Sequence, residues 1–253
     1  EDAAGGYYEL IFFRRSDDAP ETIQVFYADE ATSAIILEKF QAAGSCEEFD
    51  ALVLEYQDVL AISADTYNQL RDHESVYQTI KNGTYATLSD LSSALREAID
   101  SGMLAQNNAD ALDAFHQATA DTMTEVLRQH AAVFGISLDE VYDLYKDYVN
   151  GLLLDETVTT VDDVKNAFYR IMAIPYLNVA PRSEILEVIQ ENDAYLGIYE
   201  RITDCKESVQ VEILKKLEST EYTTLSQIED DIEEIIEDNS SSGNSSGGNG
   251  GSG

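Results

Sequence analysis

A spacing pattern of apolar and threonine positions occurs three times along the chain and restricts the folds available to it. Each copy begins at an isoleucine, continues to two apolar residues four positions apart, and reaches a threonine seven positions later. The landmarks are Ile62, Val76, Ile80 and Thr87; Ile136, Val149, Leu153 and Thr160; and Ile198, Ile213, Leu217 and Thr224. Such a period predicts an array of similar units that pack against their neighbours.

Each threonine is predicted to begin a helix. The segments Thr87–Asp90, Thr160–Asp163 and Thr224–Gln227 have the spacing of a capping box, in which the two side chains accept hydrogen bonds from each other's backbone N–H groups. Apolar residues follow each threonine at positions +1, +4 and +8, which places one helical face on a core. Two further boxes are expected, at Ser45–Glu48 and Ser137–Glu140.

The fold class that follows is all-α: tandem small three-helix bundles, with an N-terminal β-hairpin and a disordered C-terminal linker. The expected parts are the hairpin (1–28), helical repeat 1 (29–101), helical repeat 2 with a connecting helix (102–177), helical repeat 3 (178–238) and the linker (239–253). Pro175 and Pro181 are expected to break the chain between repeats two and three. The predicted helices are 29–43, 47–60, 64–82, 88–101, 121–133, 138–152, 161–173, 183–195, 199–218 and 225–237.

The two ends suggest a piece of a longer polypeptide. Segments 7–13 and 22–27 are rich in aromatic and β-branched residues and predict two strands. Two strands alone are marginally stable in water, so we expect them to pack on the helices or to end an upstream β-domain. Residues 239–253 contain only Asn, Ser and Gly, the composition of a flexible linker.

The charge balance excludes several function classes. The chain has 253 residues, with 49 Asp and Glu against 15 Lys and Arg, for a formal net charge of -34. A surface this acidic repels phosphate, so neither nucleic acid nor an anionic membrane is expected as a partner. No apolar run approaches the length of a membrane span.

Nothing in the sequence predicts catalysis, a metal or a cofactor. The chain has three histidines and two cysteines, and the cysteines do not form a C-x-x-C pair. The sequence also contains no G-x-S-x-G motif and no calcium-binding loop. Carboxylate pairs are uninformative in so acidic a chain. Whether Cys46 and Cys205 are free or joined in a disulfide is left open by their positions.

Three tyrosines form the one candidate binding surface. Tyr142, Tyr145 and Tyr148 follow one another at helical spacing. Such a ridge is more often packed against a core, with its hydroxyls in water, and we favour that interpretation. The alternative is that exposed tyrosines stack on a carbohydrate or on a protein partner.

The first copy resembles a known kind of module. Its matching residues are Leu60–Ile62, Tyr67, Leu70, Val76, Ile80, Tyr85, Thr87, Leu91, Ala94–Leu95 and Ala98–Ile99, preceded by Phe40–Ser45. The pattern is similar to the short helical modules of large secreted surface proteins of Gram-positive bacteria, where they lie between catalytic, sugar-binding or fibronectin-like domains and S-layer homology domains.

The resemblance covers about residues 31–238 and implies a function. The chain is expected to be a non-catalytic spacer or stalk, extracellular or at the cell surface. Its expected partners are the flanking domains of the same polypeptide, with the cell wall or carbohydrate as a further class. The alternative function is a carbohydrate- or protein-binding module.

Overall fold

The computed structural model describes residues 6–12 and 21–242, with side chains for residues 28–240. Thirteen helices form all the regular secondary structure of residues 28–242, so the all-α prediction is confirmed. They are α1 Glu30–Ala42, α2 Cys46–Glu55, α3 Ala64–Gln69, α4 His73–Lys81, α5 Leu88–Gln117, α6 Met123–Phe134, α7 Glu140–Leu154, α8 Val161–Val179, α9 Ile185–Glu191, α10 Asp193–Leu196, α11 Tyr199–Thr203, α12 Glu207–Ser219 and α13 Leu225–Ser242.

Two strands precede the helices. Strand β1 (Gly6–Phe12) pairs antiparallel with β2 (Glu21–Tyr27), and Gly6 lies opposite Tyr27 at one end of the register. Residues 1–5 and 13–20, which include the connection of the expected hairpin, lie outside the described residues. The hairpin as a unit therefore stays a prediction, as does the linker from residue 243 onward.

The chain divides into two units, residues 1–109 and 110–253. The first unit holds one cluster of buried apolar residues, drawn from positions 36–99, and the second unit holds two, from positions 111–172 and 173–232. We call these the first, second and third cores. Burying one large apolar side chain contributes about 1.5–3 kcal/mol, so these clusters supply most of the drive to fold.

The three predicted threonine caps are confirmed, because helices α5, α8 and α13 each begin directly after the threonine. The Asp163 N–H donates to Thr160 Oγ1 over 3.1 Å, and Asp163 Oδ2 accepts from the Thr160 N–H over 2.8 Å. The same reciprocal pair joins Thr87 to Asp90 and Thr224 to Gln227. Each box satisfies backbone N–H groups that have no partner within the helix.

The capping box predicted at Ser137 is wrong. Helix α7 begins at Glu140, and its cap is Asp139, whose Oδ1 accepts from the Tyr142 N–H over 2.9 Å. The Ser137 N–H instead donates to the hydroxyl of Tyr169 over 3.2 Å. An aspartate is as good a cap as a serine, and here the position two residues later is used.

Three predicted helices are each broken into two. The expected helix 64–82 becomes α3 and α4, 183–195 becomes α9 and α10, and 199–218 becomes α11 and α12. At the α3–α4 break, Gln106 Oε1 accepts from the Arg71 N–H over 2.9 Å and Gln106 Nε2 donates to the Gln69 carbonyl over 3.2 Å. At the α11–α12 break, Gln210 Nε2 donates to the Thr203 and Cys205 carbonyls. A glutamine therefore replaces missing helical hydrogen bonds at these two breaks.

Helices α5 and α13 run further than predicted at their C-terminal ends. Helix α5 continues to Gln117, through the residues expected to bridge the first two repeats, and Gly102 lies inside it. A Cβ at Gly102 would lie 2.8 Å from Leu70 Cδ1, so this glycine permits close packing rather than ending the helix. Helix α13 likewise extends into the predicted linker, where the Asn239 side chain donates to Glu212 over 3.0 Å.

The predicted break at Pro175 is wrong, because this proline lies inside helix α8 and is buried. Proline has no N–H to donate, so one helical hydrogen bond is missing there. Helix α8 nevertheless continues, because it is packed on both sides: Ile171 and Met172 belong to the second core, and Ala173 and Ile174 belong to the third.

Among the described residues, those with a left-handed backbone are Ala61, Gly135 and Gly197, with φ of 51°, 64° and 63°. Each directly precedes the first landmark isoleucine of one copy of the pattern. Gly135 and Gly197 also end helices α6 and α10, the usual place for a left-handed glycine. Alanine in this conformation is strained, because its Cβ crowds the following carbonyl oxygen.

These backbone angles predict opposite effects for opposite substitutions. Ala61→Gly should stabilise the protein by roughly 0.5–1 kcal/mol because it removes the strain, whereas Gly135→Ala and Gly197→Ala should each cost about 1 kcal/mol. No neighbouring atom lies within 4 Å of a Cβ built at Gly197, so the stability lost in Gly197→Ala reports only the strain of the left-handed backbone. Urea unfolding of the three variants measures the changes in the free energy of unfolding. Destabilisation by Ala61→Gly would show that Ala61 is not strained.

The Thr160 box predicts a pH dependence. N–H and O–H donation from Thr159 and Thr160 to the carboxylate lowers the pKa of Asp163 to about 2. A carboxyl whose pKa is lower in the folded state stabilises the fold above its unfolded pKa of about 4, and this contribution is lost as the pH falls through the folded value. The stability difference between the wild type and Asp163→Asn should therefore be constant above about pH 4 and shrink toward pH 2.

Urea unfolding at low protein concentration, followed by tyrosine fluorescence, measures this difference across the pH range. Asp162→Asn is the matched control, because it removes the same charge from an exposed neighbour outside the box. If the stability differences of Asp163→Asn and Asp162→Asn from the wild type changed equally with pH, the Asp163 carboxylate would have no special role in the capping box.

Candidate functional site

The three tyrosines of the predicted binding surface do not share one environment: one is buried in the interior, and two contact a turn elsewhere in the chain. All three tyrosines lie on helix α7, but the side chain of Tyr142 is fully buried in the second core. Its hydroxyl donates to Asn150 Oδ1 over 3.0 Å and lies 3.2 Å from Thr124 Oγ1, while Asn150 Nδ2 donates to the same threonine oxygen over 2.8 Å. Burial raises the pKa of Tyr142. This residue offers no surface to a ligand.

Tyr145 and Tyr148 are half-buried and reach the turn before helix α13. The Tyr148 hydroxyl donates to the Thr223 carbonyl over 2.8 Å, and the Tyr145 hydroxyl lies 3.4 Å from Glu221 Oε1. Burial raises the pKa of both tyrosines, and the Glu221 charge adds to this shift at Tyr145. Both hydroxyls are therefore protonated donors at neutral pH, engaged within the chain.

A second pair of hydrogen bonds holds the same turn. Asn178, near the end of helix α8, donates from Nδ2 to the Tyr222 carbonyl over 2.8 Å and accepts the Tyr222 N–H at Oδ1 over 2.9 Å. The Tyr222 ring is buried in the third core, and its hydroxyl donates to Asp231 over 2.7 Å. We call Tyr145, Tyr148, Asn178 and the turn 221–223 the tyrosine joint. It attaches helices of the second core to the turn of the third.

A polar cluster that sequence analysis missed surrounds Asp50 in the first unit. The Asp50 carboxylate accepts from the Tyr67 hydroxyl, lies 3.0 Å from His73 Nδ1, and lies 3.9 Å from Cys46 Sγ. The Tyr67 and His73 rings are 4.5 Å apart. Only the Cys46–Asp50 spacing of one helical turn was visible in the sequence, because Tyr67 and His73 come from other helices.

The Asp50 cluster disfavours thiolate chemistry. Burial, followed by the negative charges of Asp50 and Glu74, raises the pKa of the Cys46 thiol to about 11. A reactive cysteine needs the opposite surroundings, with a lowered pKa and nearby positive charge. Cys46 and Cys205 are both free and half-buried. The arrangement therefore acts as a hydrogen-bonded packing element between α2, α3 and α4.

A groove of about 780 Å³ lies between α4 and α5 in the first unit. The residues that line it include the small residues Ala98 and Gly102 and the charged residues Arg71, Asp72 and Glu97.

Across the described ranges 6–12 and 21–242, no group of three or more His, Cys, Asp or Glu side chains has a geometry that could hold a metal ion. Within those same ranges, no helix combines the length and apolarity needed to cross a membrane.

The remaining histidines make local contacts. His116 Nε2 lies 3.0 Å from the Val158 carbonyl, at the turn that precedes the Thr160 cap. The His130 ring lies 6.0 Å from the ring of Phe134 on the same helix. Neither contact pairs a histidine with a nucleophile, which is the arrangement that covalent catalysis requires.

Comparison of the chain with protein-family models, with curated proteins and with solved structures finds no match.

The Cys46 environment predicts slow alkylation. In the Cys205→Ser background, iodoacetamide at pH 8 should modify folded Cys46 at least about tenfold more slowly than the same cysteine in denaturant, because the raised pKa keeps the thiol protonated. Asp50→Asn should accelerate the folded reaction. Equal rates in the folded and denatured protein would contradict this assignment.

Proposed function

We propose that the chain is a non-catalytic spacer, made of three related helical modules, within a larger secreted or cell-surface bacterial protein. The modules correspond to the three cores and to repeats 29–101, 102–177 and 178–238. The single observation that supports this most directly is the position of the left-handed residues. Ala61, Gly135 and Gly197 occupy one equivalent position, immediately before the landmark isoleucines.

Burial at equivalent positions supports the same relationship. The three landmark isoleucines, the apolar pair after each, and the residues four and eight positions beyond each threonine are all buried. They are Ile62, Val76, Ile80, Leu91 and Leu95; Ile136, Val149, Leu153, Val164 and Phe168; and Ile198, Ile213, Leu217, Ile228 and Ile232. Units that share interior positions and caps at fixed intervals are typical of a tandem array.

The use of the tyrosines supports a structural role. The hydroxyls of Tyr142, Tyr145 and Tyr148 all have partners inside the chain, and those of Tyr145 and Tyr148 reach from the second module to the third. A spacer needs such joints, because it keeps its flanking domains at a set distance only if adjacent modules hold a fixed orientation. A ligand-binding surface would need these groups to face solvent.

The biological setting rests on the resemblance of the first module to helical modules of Gram-positive surface proteins. The charge of -34 fits that setting, because mutual repulsion keeps such chains soluble and apart. The partners of a spacer are the domains that it separates, so neither a cofactor nor a catalytic group is required of it.

A replacement experiment tests the spacer role. A reporter domain is placed before the chain and a wall anchor after it, on the surface of a Gram-positive cell. Deleting residues 110–238 should reduce the access of an antibody to the reporter. An unrelated helical array of similar length and charge, inserted in their place, should restore it.

Two outcomes would overturn the proposal. If only the native sequence restored the function, the chain would be doing more than setting a distance. If a glycan or protein ligand bound the isolated chain and binding was abolished by Tyr145→Ala but not by the matched Tyr195→Ala, the tyrosines would form a binding surface instead.

A further inference from the structure

A cavity of about 470 Å³ lies between helices α8 and α9, and the spacer role does not use it. Its walls are formed by Tyr169 and Tyr176, seven residues apart on α8, and on the other side by Val188 and Glu191 of α9 with Glu184, the residue that precedes α9. Pro181 lies in the corner between the helices. The volume is in the range of sites that bind small molecules.

The two tyrosine rings are held in place by their hydroxyls. Tyr169 accepts the Ser137 N–H over 3.2 Å, and Tyr176 donates to Asp139 Oδ2 over 2.8 Å. Both partners lie just before helix α7, and neither is among the residues that line the cavity. A tyrosine that donates to a carboxylate has a more electron-rich ring, and an electron-rich ring attracts cations more strongly.

The opposite wall is negatively charged. Glu184 and Glu191 are exposed, and the residues that line the cavity include no Lys or Arg. The basic residues nearest in sequence to the lining, Arg170 and Arg182, are paired with Glu156 and Glu218. Tyrosine rings and carboxylates that line the same cavity form an environment that favours a cation with an apolar surface.

The spacing of the carboxylates selects the kind of cation. Glu184 and Glu191 are seven residues apart, which is about 10 Å along a helix. A single divalent ion needs several oxygens within about 2.6 Å and cannot bridge that distance. An organic cation with an apolar carbon surface can instead contact the rings while both carboxylates attract its charge.

The geometry points to a binding site for an alkylammonium group, carried either by a small methylated amine or by a lysine side chain. The rings of Tyr169 and Tyr176 contact the alkyl surface, and Glu184 and Glu191 supply the negative potential. This inference is independent of the spacer role, because a spacer can carry a ligand site without depending on it.

An NMR titration of the full chain tests the site. Tetramethylammonium chloride, the amide of N-acetyl-lysine and sodium chloride are added at equal ionic strength while the ring resonances of Tyr169 and Tyr176 are followed. We expect saturable shifts with at least one ammonium probe and none with sodium. Tighter binding of tetramethylammonium indicates a free methylated amine, and tighter binding of the lysine amide indicates a side chain. Equal responses to all three salts would overturn the proposal.

Charge-matched variants separate the site from general attraction to an acidic protein. Glu184→Gln with Glu191→Gln should weaken binding of the better ammonium probe about fivefold. The control, Glu187→Gln with Glu200→Gln, removes two exposed charges from residues that do not line the cavity and should leave binding within about twofold. If both double variants weakened binding of the probe equally, the probe would be attracted by the overall negative charge rather than by a site.

A ring variant tests the aromatic wall. Tyr169→Phe keeps the ring and should bind within about twofold of the wild type, whereas Tyr169→Leu should bind about threefold more weakly. Equal affinities for the two variants would overturn the aromatic part of the site. The glutamate pair remains decisive if Tyr169→Leu fails to fold, because Glu184 and Glu191 are exposed.

Discussion

Helix α8 is the element on which the second unit depends, because two cores share it. Its Phe168 and Met172 are fully buried in the second core, and Ala173 and Leu177 are buried in the third. A small helical bundle buries little apolar surface for its length, so neither core has much stability to spare. Sharing one helix lets both cores gain burial from a single ordered segment. It also explains how Pro175 is tolerated, since the surrounding contacts outweigh one missing hydrogen bond.

Hydrogen bonds then determine where the helices begin and break. Threonine caps fix the starts of α5, α8 and α13, and glutamine side chains satisfy the backbone where α3 meets α4 and where α11 meets α12. In the second core, Asn150 is buried but bonded to Tyr142 and Thr124. No buried side-chain nitrogen or oxygen within the described part of the chain lacks a partner. Because an unpaired buried polar group costs about 1–3 kcal/mol, these bonds exclude alternative registers more than they add stability.

The features predictable from sequence were those with a short-range cause. The threonine caps and the buried face after each one depend on residues within eight positions, and both were identified. Both Ser137 and Asp139 are residue types that cap helices, and the sequence does not reveal that Ser137 contacts Tyr169, 32 residues away. The break at Leu70 depends on Gln106, and the partners of Tyr145 lie 76 residues away. Interactions of this range leave no periodic trace in a single sequence.

The tyrosine joint and the proposed ammonium site should respond differently to salt. The joint consists of short hydrogen bonds from neutral hydroxyl and amide groups, with Glu221 as its one charged member, so salt should alter it little. The cavity depends on two exposed carboxylates, whose attraction for a cation is screened by salt. Both nevertheless rest on α8, since Asn178 belongs to the joint and Tyr176 to the cavity wall. A cation in the cavity would lower local repulsion beside the same helix that holds the joint.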